Sequence, residues 1–210
     1  MSDSISEPTA PTIGVFGGSF DPVHYGHLLL AETCRATLHL DQVRLIPAGT
    51  PPHKTDANVS EGSHRAQMLR LAVSGYPEFV VDTRELHRSG PSYTVDTLRE
   101  LREQFRDSKL FFLMGADSLR DFSTWRSPER ITELATVVGV NRPGLPEVDS
   151  DQLAKWLPNG LAERVILLQM PGTNISASAI RRRVSQQQSI RFLTPKAVEA
   201  YIEHHRLYRS

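Results

Sequence analysis

The chain has 210 residues, enough for one well-packed domain and short for two. Lys plus Arg and Asp plus Glu each number 24, so the formal charge is zero. That balance argues against a nucleic-acid or membrane partner and leaves open a small anionic substrate held by local charge. The one cysteine, Cys34, excludes a disulfide within the chain. With no apolar run of transmembrane length and no signal-like leader, a reducing, cytoplasmic setting is expected.

Residues 1–11 (MSDSISEPTAP) are polar and Pro-containing and read as a flexible tail, with a single domain expected over 12–210. Residues 13–16 (IGVF) are a short apolar run, the pattern of a buried strand in a parallel sheet. Gly17 and Gly18 follow at once, where backbone can approach a ligand closely. FDPVHYGH then leads into an apolar, helix-forming stretch, LLLAETCRATL. A strand, a glycine turn and a helix start together make a phosphate site, because free N–H groups and the positive end of the helix dipole point outward there. His24 and His27 stand three residues apart at that helix start, so they share a face. Each can donate to phosphate oxygens, more strongly when protonated. Capping by His24 and core packing by His27 are the plain alternatives. A chelating pair lacks a third ligand at a convincing spacing, so no metal site is assigned. The stretch is neither a P-loop nor a GxGxxG fingerprint.

Residues 43–47 (VRLIP) read as a second strand, completing a βαβ unit with a right-handed crossover. The loop AGTPPHKTDANVSEGS follows, in which Pro51 and Pro52 stiffen the chain and present His53 and Lys54. It is either a solvated surface loop or a functional one, and its place after a strand's C-terminal end favours function. Residues 64–74 form an amphipathic helix with Ala66, Leu69, Ala72 and Val73 on one side, Ser63 as its cap, and Arg65 and Arg70 either reaching the site or, as the default, exposed. A short strand at 79–81, a charged turn region at 82–91 and a helix at 93–105 come next.

Residues 110–114 (LFFLM) are the clearest strand, followed by Gly115 and Asp117. An Asp there suits ribose hydroxyls, or caps a helix over SLRDF. Trp125 is placed either to stack on a ligand ring or to cover the core. Residues 135–140 form another strand, ending in Asn141, Arg142, Pro143 and Gly144. Residues 145–163 read as a helix and loop without chemical signal, and 164–168 as the last strand. NISASAIR, residues 174–181, is a second helix start suited to phosphate, with hydroxyls on Ser176 and Ser178 and with Arg181 on the same side. A final helix spans 194–204, with Thr194 as cap and Pro195 at its first position. The order of elements predicts an α/β fold, a Rossmann-like doubly wound parallel sheet with helices on both faces.

GGSFDPVHYGH resembles the HxGH signature of the nucleotidylyltransferase superfamily. With PPHK, PSYTVDTL, MGADSL followed by TW, NRPG and ISASAIR in this order, nearly the whole chain resembles the bacterial nicotinate-nucleotide adenylyltransferases. The resemblance implies transfer of the adenylyl group of ATP to nicotinate mononucleotide, giving deamido-NAD and pyrophosphate in NAD biosynthesis. It implies catalytic roles for His24, His27, Lys54 and Arg181. ATP contacts are implied for Gly17, Gly18, Ser19, Phe20, Gly115, Asp117, Arg142, Ile175, Ser176 and Ser178, besides His24, His27 and Arg181. Nicotinate mononucleotide contacts are implied for Gly18, Ser19, His53, Lys54, Thr94, Trp125 and Arg126, with Trp125 stacking on the ring. Mg²⁺ is implied as a cofactor held mainly by substrate phosphates, and a homo-oligomer is left open. No nucleophile with an adjacent base stands out, which suits this reaction. A phosphate monoester is already anionic and needs neither a base nor a covalent intermediate.

Three departures from the family pattern stand out. GGSF replaces GGTF, ISAS replaces ISST with a hydroxyl lost at Ala177, and Arg126 stands where an aromatic is common. Arg126 would add attraction for the nicotinate carboxylate, and the PPHK loop is expected to close over substrate. The rivals are pantetheine-phosphate adenylyltransferases, which are shorter and lack PPHK with the later TW. A nicotinamide-mononucleotide enzyme and a nucleotide sensor without catalysis are the others.

Overall fold

The computed structural model describes residues 10–49, 59–144, 146–157 and 160–209. Six strands form one parallel sheet: β1 (Thr12–Gly18), β2 (Gln42–Pro47), β3 (Phe79–Val81), β4 (Lys109–Gly115), β5 (Thr136–Asn141) and β6 (Val165–Gln169). Their order is β3-β2-β1-β4-β5-β6. The chain steps outward from β1 in one direction, then returns to start again at β4. The strand order therefore reverses between β1 and β4, and ligands of open α/β sheets bind at that point, beyond the strands' C-terminal ends.

Successive strand residues feed opposite faces, as a pleated strand demands. Phe16, Leu45, Leu113 and Val138 join one apolar layer, while Val15, Ile46, Phe112 and Val137 join the other. The first layer is closed by α1 (Tyr25–Thr37), α2 (Gly62–Ala72), α6 (Ala177–Ser185) and α7 (Lys196–His204). The second is closed by α3 (Thr94–Gln104), α4 (Pro128–Leu134) and α5 (Ser150–Trp156). This is the doubly wound fold expected from the order of elements. Both sheet faces are covered, which is why the strands read as near-continuous apolar runs.

Local details differ from expectation at the helix starts. Ser63 lies inside α2 and Glu61 occupies the N-cap, so Ser63 is no cap. Thr194 does not cap α7 either: its hydroxyl donates to the Val23 carbonyl at 2.7 Å, and Pro195 takes the N-cap position. Helix α4 carries only two buried residues, Ile131 and Leu134, too few for the apolar period to announce it. Cys34 is fully buried in α1, and burial pushes its thiol up to about 12, so it is inert. No helix among the described residues is long and apolar enough to cross a membrane.

Leu113 sits in central β4 with no exposure. Leu113→Ala should lower the unfolding free energy by about 2–5 kcal/mol. A urea titration should show a lower midpoint with an unchanged slope.

Candidate active site

The site begins where β1 ends. Gly17 and Gly18 terminate the strand, and Gly18 accepts from the Ala48 amide at 2.8 Å, which holds the ends of β1 and β2 together. The next residue, Ser19, offers its carbonyl to Arg65 Nη1 at 3.0 Å. Arg65 also donates to the Ser60 carbonyl at 2.9 Å and is only 4% exposed. The expectation of an exposed Arg65 is thus corrected: it is an internal brace under the turn. Phe20 takes a left-handed backbone (φ 48°) and is fully buried. A non-glycine residue costs about 1–2 kcal/mol there. Its ring packs edge-on against Phe16 at 5.4 Å and His27 at 5.0 Å, which offsets the cost.

His24 and His27 stack with ring centroids 3.8 Å apart. His27 Nδ1 accepts from the His24 amide at 3.3 Å. A neutral His27 therefore carries its proton on Nε2. Gly26 lies between them for a steric reason. A Cβ there would come within 3.0 Å of the His24 ring and 3.4 Å of the Ile175 carbonyl. The ISASAIR segment thus backs directly onto the first helix start.

At the second helix start, Ser176 is the N-cap of α6 and accepts from the Ala179 amide at 3.2 Å. Ser178 Oγ lies 3.3 Å from Ser176 Oγ. Arg181 Nη1 donates to the Asp21 carbonyl at 2.7 Å, so the two helix starts are tied together. At the end of β4, Asp117 does not cap the following 3₁₀ turn. Its Oδ1 accepts from Arg142 Nη2 at 2.8 Å, a half-exposed pair, while Arg142 Nε is buried with no partner among the described residues.

A cavity of about 220 Å³ opens beside the turn. Gly17, Gly18, Ile46, Ala48 and Thr94 contribute to its walls, as do Trp125 and Arg126. Trp125 is propped tilted on Phe122 at 5.5 Å and edge-on to Phe112 at 6.0 Å. Its indole thus covers the core on one side and lines the cavity on the other. Arg126 lies over the Tyr93 ring at 4.5 Å and pairs with Asp96 at 3.6 Å. Glu85, Ser92 and Thr97 also line this space and carried no chemical signal in the sequence, where Glu85 sat in a charged turn region. His53 and Lys54 lie outside the described residues.

A model of the cytidylyltransferase-like family matches residues 15–183. A Thermus thermophilus protein named "Probable nicotinate-nucleotide adenylyltransferase" is 48% identical over 197 residues, covering 94% of this chain and 99% of its own. A Thermomicrobium roseum protein of the same name is 46% identical, covering 94% and 92%. The chain belongs to the nicotinate-nucleotide adenylyltransferase family. Among solved structures, the Plasmodium falciparum nicotinic acid mononucleotide adenylyltransferase complexed with NaAD shares the fold, with a TM-score of 0.78 at 20% identity over 94% of this chain and 97% of that one.

In this adenylyltransferase the two signature histidines are not standing cations. Burial pushes His24 down to about 4, and the nearby Arg142 guanidinium adds to the effect. Burial, then His24 and Arg142, hold His27 well below its ordinary range. Both are neutral donors at pH 7 in the free protein. An unfolded histidine titrates near 6.5. Between that value and about 4 the unfolded chain binds more protons than the folded one. Stability should therefore fall as pH falls from about 6.5 toward 4.5. His24→Asn should flatten that decline in chemical-denaturation curves. An unaltered slope in the variant would contradict the neutral assignment.

Proposed function

We propose that this protein transfers the adenylyl group of ATP to nicotinate mononucleotide, forming deamido-NAD and pyrophosphate. One observation carries the reading. Two helix starts rich in phosphate donors face each other at the sheet's reversal point, and an aromatic-walled cavity opens on the same glycine turn. The first arrangement suits a polyphosphate and the second a flat ring joined to a phosphate. The names of the relatives support the same reading.

The chemistry follows from the charges. A phosphate oxygen of nicotinate mononucleotide attacks the α-phosphorus of ATP. The new P–O bond forms as the bond to the bridging oxygen breaks, and pyrophosphate leaves with the electron pair. The attacking oxygen is already anionic, so no residue needs to take a proton. The protein's work is alignment and stabilisation of charge on the leaving phosphates. His24 and His27 supply neutral N–H donors that gain strength as negative charge approaches, and Arg181 and the amides at the start of α6 supply fixed positive potential. Among the described residues no three His, Cys, Asp or Glu side chains lie close enough to hold a metal. Mg²⁺ would enter as part of the MgATP substrate, held by phosphates and water.

Mixing the protein with ATP, Mg²⁺ and nicotinate mononucleotide should release pyrophosphate. His24→Ala should cut kcat about 10²–10³-fold, in line with losing one transition-state donor. Nucleotide binding without turnover on nicotinate mononucleotide, nicotinamide mononucleotide or phosphopantetheine would instead identify a sensor.

Arg126 supports the acidic substrate, because it places a guanidinium at the cavity wall. Arg126→Ala should raise KM for nicotinate mononucleotide more than for the nicotinamide form. Equal effects on both would remove Arg126 from selectivity.

A further inference from the structure

The segment leading into α1 is held by the far end of the chain. Four contacts fall on residues 21–25. Arg181 donates to the Asp21 carbonyl at 2.7 Å, Thr194 donates to the Val23 carbonyl at 2.7 Å, and the Tyr25 amide donates to the Leu193 carbonyl at 3.2 Å. The fourth is the Tyr208 hydroxyl, which donates to Asp21 Oδ1 at 2.6 Å. The other carboxylate oxygen, Oδ2, accepts from the Ser60 amide at 3.1 Å. Asp21 is 1% exposed, as is Thr194. A buried carboxylate needs such partners, since an unpaired one is costly. Burial and the adjoining Asp21 charge push the Tyr208 phenol up, so it stays a donor at any working pH. The tail reaches this point through left-handed backbone at Arg206 (φ 51°) and Tyr208 (φ 63°). That conformation is unfavourable for such residues and has to be held by the contacts it permits.

Thr194 and Tyr208 spend their hydroxyls on Val23 and Asp21, within the three residues before His24. We propose that Thr194 and Tyr208 are positioning residues, a C-terminal clamp that fixes residues 21–25 and so aims His24 and the glycine turn at the reacting phosphates. The clamp acts on alignment and leaves the substrates' ground-state contacts alone. Its signature is therefore a loss in kcat with little change in KM. The inference rests on the adenylyl-transfer reading above.

The experiment pairs steady-state pyrophosphate release, well below the melting temperature, with amide hydrogen exchange over residues 17–24 of the free protein. Tyr208→Phe removes one hydroxyl and keeps the ring. It should lower kcat about 10-fold, a misalignment effect. KM for ATP and for nicotinate mononucleotide should stay within about twofold, the mark of an interaction felt in the transition state. Exchange over 17–24 should quicken. Thr194→Val removes the other hydroxyl at nearly constant shape and should move both readouts the same way; it decides the matter alone if Tyr208→Phe fails to fold. Wild-type kcat in the folded variants overturns the clamp, whether or not the melting temperature falls. So does a rise in KM at unchanged kcat. If the wild-type protein releases no pyrophosphate with any acceptor, the functional reading itself fails. Exchange over 17–24 still decides the clamp in that case, and wild-type exchange in both variants would overturn it.

Discussion

Asp21 and Arg181 lie 160 residues apart, and the hydrogen bond between them joins two helix starts into one cleft. The parallel sheet makes this arrangement necessary. Strand order reverses between β1 and β4, so the elements beyond their C-terminal ends diverge and leave a gap. One wall of the gap follows β1 directly. The other comes from the segment after β6, which must cross to meet it. Gly26 eases the approach, because a Cβ there would crowd the His24 ring at 3.0 Å and come into contact with the Ile175 carbonyl at 3.4 Å. A glycine between two histidines thus suits the tight packing against the His24 ring.

The same closeness sets the electrostatics. Stacked imidazoles 3.8 Å apart and near Arg142 cannot hold positive charge cheaply in a buried place. The free site keeps them neutral, and its standing positive charge resides in Arg142 and Arg181. A polyphosphate in the cleft would weaken this bias by attracting positive charge, while the neutral imidazoles can still donate through their N–H groups. Arg142 is itself shared, since Asp117 takes one of its N–H groups. A ribose hydroxyl reaching Asp117 would therefore meet an ion pair, and binding there redistributes hydrogen bonds around Arg142.

The fold was legible because both sheet faces are covered, which leaves strands such as LFFLM as uninterrupted apolar runs. The residues at the two helix starts were legible as candidates because each follows a strand end or opens a helix, positions with a chemical meaning of their own. What escaped was whatever depends on distant partners. Arg65 looked like an exposed helical arginine, yet it bonds the Ser19 and Ser60 carbonyls. Thr194 looked like a cap, yet it serves Val23. Asp21 and Tyr208 had no local signal at all, for neither the FDP turn nor the C-terminal LYR says where the other lies. Helix α4 escaped for a different reason: a seven-residue helix with two buried residues has almost no period to detect.

The cavity beside the glycine turn poses a last question, because Glu85 lines the space proposed for an anionic ring. A free carboxylate there would repel the substrate. Both oxygens of Glu85 are occupied, Oε1 by the Thr97 hydroxyl at 2.6 Å and Oε2 by the Gly49 amide at 3.4 Å. Thr97 can donate to Glu85 while Arg88 donates to Thr97 at 3.1 Å, so a cation stands behind the carboxylate. The charge of Glu85 is thereby spent on joining the loop after β2 to the start of α3, and Thr94, Trp125 and Arg126 are among the groups left on the cavity wall. Arg126 is offset by Asp96 and sits half in solvent, where an ion pair is worth about 1 kcal/mol or less. Any attraction of Arg126 for a carboxylate would therefore act on selectivity at the rim. Under the adenylyl-transfer reading, the cleft between the two helix starts would supply the contacts that any mononucleotide shares.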